Sequence, residues 1–258
     1  MRLDLGQVLY HPDQPWPYVY FPVRGTVVSF LALTGGGGAV EAGVVGCEGV
    51  VGLPVLLGAG TTPHRGVCQV AGAAWQPRAA DFRAEAGRAG PLHGALLRYA
   101  HAFLVQVAQG AGCNLAHPVE QRSARWLLLV HDRVDGDEFF LTQEFLAQML
   151  GVRRASVGDV MGRLREAGAV VYARGQIAVR DRAALEAAAC ACYRTIRGHL
   201  TRACAPSPAR RGRARGGPRA AGAQPLPVEY GPNPARYAGC SRGSGAGSQS
   251  SASTPAAR

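Results

Sequence analysis

The sequence predicts an α+β chain: a β-rich N-terminal part, a long helix, and a helical C-terminal part that includes a β-hairpin. Three observations predict it. Short alternating or wholly apolar runs, punctuated by Gly, Pro and Asp, fill residues 3–78. The hydrophobic period changes to three and four near residue 91. Two short amphipathic segments then meet at Gly151, with an Arg-Gly pair splitting two apolar runs beyond them.

The β-rich part reads as "VLYHP" (8–12), "YVYFPV" (18–23), "GTVVSFLAL" (25–33), "AVEAGVVG" (39–46) and "GVCQVAGAAW" (66–75). Strands of this length at this spacing suit a sandwich or barrel. "TGGGG" (34–38) is read as a hairpin loop, because no helix start with Lys or Ser/Thr follows to make a phosphate cradle. Residues 91–114 then form a helix. Leu97, Leu104 and Ala111 repeat every seven, and Ala100, Val107 and Asn114 make a second row. Such a seam favours pairing with a second copy, with Leu97, Ala100, Leu104 and Val107 as the contact residues.

Residues 119–134 resume as a helix with Trp126, Leu127 and Val130 on its apolar side, and "DGDE" (135–138) ends it. In "TQEFLAQMLGVRRASVGDVMGRLREAGAV" (142–170), Thr142 caps a first helix and Leu146, Ala147 and Leu150 form its inner face. Gly151 supplies a left-handed turn. A second helix begins near Arg153, with Val157, Val160, Met161 and Leu164 as one stripe. A small residue inside the first helix and Gly at the turn together make a helix-turn-helix rather than any packed pair.

The exposed start of the second helix presents Arg153, Arg154 and Ser156, the positions from which a recognition helix reaches base edges. Arg pairs with guanine in bidentate fashion, and Ser contacts base or phosphate. Thr142 and Gln143 are further candidate DNA contacts, and Arg163 and Arg165, further along the helix, are placed to meet phosphates. Arg174, at the tip of a hairpin over 170–181, is placed as a wing contact. Residues 182–200 read as helical. Beyond 201 the chain is rich in Pro, Gly, Ser and Arg and is expected to be disordered.

Composition narrows the function classes. The net charge is +11, but nine Arg against one acid (Glu229) lie beyond residue 200, and the first 200 residues carry 19 Arg against 16 acids. The basic excess therefore belongs mainly to the tail. All 28 basic residues are Arg, which with abundant Ala and Gly reads as base bias in the coding DNA. No stretch is apolar enough to span a membrane and no secretory core opens the chain, so a cytoplasmic protein is expected. Neither H-E-x-x-H nor a P-loop is present, and no catalytic residue is assigned. The seven Cys include no C-x-x-C pair and no His at zinc-finger spacing. Cys190 and Cys192 are read as buried thiols, and no metal ligand is assigned.

The order of these parts, with "TQEFLAQMLGVRRASVGDVMGRLREAG", "VEQRSARWLLL" and "LEAAACACYR", resembles the Crp/Fnr family of bacterial transcription regulators over residues 3–200. The resemblance implies a cyclic-nucleotide-binding-like β-roll (double-stranded β-helix, jelly-roll-like) at 1–90 and a dimerisation helix at 91–117. It further implies a winged helix-turn-helix at 118–200, followed by the tail at 201–258. It also implies a homodimer on an inverted-repeat site in double-stranded DNA, with RNA polymerase as a further partner. "EGVVGLPVLLGAGTTPHRGV" (48–67) looks like the family's phosphate-binding cassette, which would place Gly52, Arg65 and Gly66 at the effector.

Departures matter equally. Val50 stands where the family's ribose-binding Glu would be, and an apolar Val accepts no hydrogen bond from a ribose hydroxyl. The effector is left open. No N-terminal Cys group for an iron–sulfur cluster is present before Cys47, and no His is placed for haem. Arg154 matches the Arg of the family's Arg-Glu pair, but Ala155 replaces the Glu, so a different operator is expected. The chain opens almost inside the first strand, which suggests a shortened N-terminus. The alternative to a regulator is a ligand-binding module whose helix-turn-helix has no specific DNA target.

Overall fold

The structure is a computed structural model that describes residues 1–35 and 38–205. The expected loop of four glycines therefore falls partly outside the described residues, as does the tail from 206 on. In chain order the N-terminal part comprises β1 (Arg2–Leu3), β2 (Val8–Tyr10), β3 (Phe21–Pro22), β4 (Val27–Leu33), β5 (Ala39–Val45), α1 (Leu53–Leu56), β6 (Arg65–Val70), β7 (Gly72–Trp75) and α2 (Ala79–Ala86). One antiparallel sheet has the order β2-β6-β4-β5 and a second the order β1-β7-β3. β4 and β5 pair directly, Val28 to Val45 through Leu33 to Ala39, which is the hairpin read from the glycine run. Leu3, Val27, Val28, Leu31, Val44 and Cys68 are inside, with a register shift between Val27 and Val28 interrupting the alternation of β4.

The remaining elements are α3 (Pro91–Ala116), α4 (Val119–His131), β8 (Glu138–Phe140), α5 (Gln143–Leu150), α6 (Arg154–Glu166), β9 (Val170–Ala173), β10 (Gln176–Val179), α7 (Arg182–Ala188) and α8 (Cys192–Cys204). Pro91 opens α3 at a first-turn position, where its missing N–H costs nothing. Pro118, extended, separates α3 from α4. The helix expected over 182–200 is two helices, because the chain is extended at Ala189. α8 continues to Cys204, past the point where the sequence pattern loses its period, and lies along α3.

α4 is the centre of the chain. Trp126, Leu127 and Val130 are buried as the periodicity predicts, but so is every residue from Arg122 to Val130. A helix buried on all faces must satisfy its own charges. Arg122 donates from Nε to Asn114 Oδ1 on α3 at 3.1 Å and from a terminal nitrogen to the Leu150 carbonyl at the end of α5. Just past the helix, Arg133 is 3% exposed and pairs with Glu48 at 2.7 Å. It also donates to Leu129 O at 2.5 Å. At the same end Arg182 of α7 pairs with Asp132 at 2.6 Å, and the Tyr193 hydroxyl of α8 donates to the same carboxylate at 3.0 Å.

Glu41 of β5 faces Arg125 and Trp126 of α4 across a small cavity of about 20 Å³ and accepts from Ser29 Oγ at 2.8 Å. Burial pushes its carboxyl up from the ordinary 4.5 to about 7, and the Ser29 bond and Arg125 only partly oppose that.

Two outcomes are expected. Glu48→Ala leaves the Arg133 guanidinium buried and unpaired, and should cost about 3–5 kcal/mol in urea unfolding; Glu48→Leu with Arg133→Met should recover most of it. Because the folded-state value of Glu41 is raised, its contribution to stability is full below about pH 4.5 and is lost as pH rises through about 7. Glu41→Gln should therefore raise the melting temperature at pH 8 and leave it nearly unchanged at pH 4.5, as calorimetry across that range will read.

Candidate nucleic-acid interface

The helix-turn-helix is built from local chemistry. Thr142 Oγ1 accepts from Phe145 N at 3.1 Å and caps α5, so this hydroxyl is committed to the helix start. Gly151 closes α5 in the left-handed region at φ 64°, and Val152 N returns to Ala147 O at 3.0 Å. Ala147, 5% exposed, lets α6 cross close by. Val157, Val160, Met161 and Leu164 are all buried, as their spacing predicts. Behind them β8, β10 and β9 form the antiparallel wing sheet.

The opposite face of α6 is free. Arg153 is its N-cap residue, and Arg153, Arg154, Ala155 and Asp159 are exposed, with Ser156 half-buried. Their charges thus stand at the start of the helix, on one open side. Gln143 is half-buried beside the first turn of α5, 3.8 Å from where a side chain at Gly158 would begin. Arg163 is turned the other way: its Nε meets Glu120 Oε2 of α4 at 2.6 Å. Arg165, exposed on the last turn, has no such pair among the described residues. Arg174 sits at the wing tip with φ 50°, next to Gly175 at φ 80°, the pair of left-handed residues that a tight hairpin demands.

On α3 the residues divide. Leu96, Tyr99, Ala102, Gln106 and Cys113 face their own chain. Leu97 is 48% and Leu104 64% exposed, with Ala100 and Val107 half-buried between them and Leu92 and Leu115 continuing the apolar strip. Among the described residues, Leu97 and Leu104 of the seven-residue seam are thus left largely uncovered.

Of the cassette residues, Gly52 lines a nearly filled interior, which Arg65 and Gly66 do not line. Gly52 precedes α1, and Arg65 and Gly66 lie in β6. The Tyr10 ring covers Gly66 so closely that any side chain there would collide with it. Tyr10 and Trp16 stack with centroids 3.9 Å apart, and Val50 is 1% exposed. The cavity they share with Val28, Phe30 and Phe103 holds about 20 Å³, room for about one water. Arg65 Nε is buried without a partner.

The reading of Cys190 and Cys192 as buried thiols holds, at 6% and 4% exposure. Cys113, His117, Cys190 and Cys192 bring their ligand atoms within 4.8 Å of one another. Neither half carries a familiar spacing: Cys113 and His117 are one helical turn apart, and Cys190 and Cys192 are separated by one residue. The signal available in the sequence was the i, i+4 Cys-His pair at the end of a long helix.

Residues 121–188 match the family described as the Crp-like helix-turn-helix domain. No curated protein matches the chain in sequence. Among solved structures, a CRP-family transcriptional regulator from Thermus thermophilus is similar at 18% identity and a TM-score of 0.61, covering 73% of this chain and 96% of that one. FixK2 from Bradyrhizobium japonicum aligns at 18% identity and 0.61, over 74% and 96%. A second Thermus thermophilus regulator, of the CRP/FNR family, aligns at 20% and 0.58, over 73% and 97%.

The turn itself can be tested. A methyl group at residue 151 would be strained at φ 64° and would begin 2.8 Å from Val40 Cγ1 on β5. Gly151→Ala should cost about 1–2 kcal/mol or more in denaturant unfolding, whereas Gly162→Ala, in open space on α6, should be neutral or stabilising.

Proposed function

We propose that this chain, whose fold is that of Crp/Fnr transcriptional regulators and whose residues 121–188 form a Crp-like helix-turn-helix domain, binds an inverted-repeat operator as a homodimer. The observation that carries the reading is the free face of α6, with Arg153, Arg154 and Ser156 at its start. Arg154 reads a guanine in the major groove, Arg153 and Ser156 hold the register, and Arg174 on the wing touches the adjacent backbone. Gln143 supports the register from the start of α5. Arg163 contributes a phosphate contact only after leaving Glu120, so Arg165 is the better-placed cation on that turn. A regulator of this kind acts beside RNA polymerase in the cytoplasm. No helix among the described residues is long and apolar enough to cross a membrane.

The second copy packs on the exposed strip of α3 through Leu97, Ala100, Leu104 and Val107. The effector is not a cyclic nucleotide. What supports this is the filled interior: ligand pockets for such molecules run to about 300 Å³ or more, and Val50 offers the ribose nothing.

Selection of duplexes from a random pool tests the central reading. A palindromic consensus is expected, with affinity falling steeply as salt rises; no preference over random DNA would sink it. Arg154→Ala should lose about 1–3 kcal/mol of discrimination at one base position. Leu97→Glu with Leu104→Glu should sediment as a monomer and bind a half-site only weakly. Millimolar cyclic AMP or GMP should leave the melting temperature unmoved.

A further inference from the structure

We infer that Cys113, His117, Cys190 and Cys192 form a closed, four-coordinate site for a single zinc ion, which bolts the end of α3 to the junction of α7 and α8. The geometry is that of one ion. Cys113 Sγ and Cys190 Sγ stand 3.5 Å apart, and Cys192 Sγ and His117 Nδ1 3.6 Å apart. Zinc–sulfur bonds of about 2.3 Å at tetrahedral angles set neighbouring sulfurs about 3.8 Å apart, and a zinc–nitrogen bond is slightly shorter. Ligands of an iron–sulfur cluster are divided among several irons and stand farther apart than four atoms within 4.8 Å.

The chemistry of the donor set agrees. Three thiolates and one imidazole are the soft, nitrogen- and sulfur-rich combination of structural zinc sites, with no position left for water or substrate. The three Cys make a buried cluster of their own, apart from the main apolar core. Gln109, one turn before Cys113, directs its Nε2 to Cys192 Sγ at 3.2 Å. An amide N–H on a thiolate is the outer-shell support that such sites use. Backbone geometry supplies the rest: Cys113 lies in the last turn of α3 and His117 is its extended C-cap residue, with His117 N bonded to Cys113 O at 3.0 Å, and Cys190 and Cys192 flank the tight turn at Ala191.

The ion would fix the angle between the long helix and the segment that follows the wing. Only this last consequence rests on the DNA-binding reading. The full chain, purified under reducing conditions, should carry about one zinc per chain by elemental analysis, and cobalt(II) should replace it with the intense ligand-field and thiolate charge-transfer bands of a tetrahedral site. Cys190→Ser and Cys113→Ser should abolish the cobalt spectrum, while Cys47→Ser and Cys204→Ser, at exposed thiols, should leave it unchanged. Gln109→Ala should keep the stoichiometry but weaken the metal about tenfold or more. Removing zinc with a chelator should lower the melting temperature and weaken operator binding.

Failure to hold zinc or cobalt in stoichiometric amounts under reducing conditions would overturn the proposal. So would several irons with acid-labile sulfide, or a Cys113–Cys190 disulfide in metal-free protein. If the metal is held but duplex selection finds no consensus, the DNA reading fails and the metal site stands.

Discussion

Arg133 places a guanidinium where the sheet domain, α3 and α4 meet, with almost no access to water. Stripping water from such a group is expensive, and the cost is recovered only when the partners are in place. Glu48 approaches from the loop after β5, and Leu129 offers a carbonyl from α4 itself. Gln106, on α3, reaches the same guanidinium and donates to Val44 O of β5 at 3.0 Å. Each of these partners sits on a different element, so the charge is satisfied only in one relative placement of all of them. Arg122 repeats the device at the other end of α4, joining Asn114 of α3 to the last carbonyl of α5. Arg122 and Arg133 together specify where α4 lies, and the helix-turn-helix follows it in the chain.

This explains which parts of the molecule were legible from sequence. The helix-turn-helix and the wing were, because their signals are local. Thr142 caps three residues on, Gly151 turns the chain at one position, and the 174–175 pair closes a hairpin with its own backbone. The exposure of Leu97 and Leu104 on α3 follows a seven-residue repeat that needs no distant partner to be seen in the sequence.

The rest depended on tertiary neighbours. The partners of the charges in and just after α4 were not legible, since nothing near them in sequence supplies one; Arg133 finds Glu48 across 85 residues. The thiol cluster was hidden in the same way, split into two pairs that meet only when α8 folds back along α3, 77 residues from Cys113 to Cys190. The break at Ala189 was invisible because an alanine-rich run favours helix at every position. In the β domain the strands were legible but the closure of their interior was not, since that depends on the Tyr10 ring, packed against Trp16, covering Gly66 from outside the cassette.

A helix enclosed on every side also has a dynamic consequence. Protein interiors pack at crystal-like density and yield little to compression. With Arg122 through Val130 all enclosed, α4 has no soft face into which a displacement could dissipate, so a shift of β5 or α3 is passed on to α5 and α6. The reading head is therefore carried stiffly rather than on a loose tether. On the proposed dimer that stiffness prepays the orientational entropy of seating two recognition helices at once. In such a dimer the same rigidity would narrow the range of half-site spacings the pair can span, and selectivity for operator geometry would come from the middle of the chain as well as from the residues that touch bases.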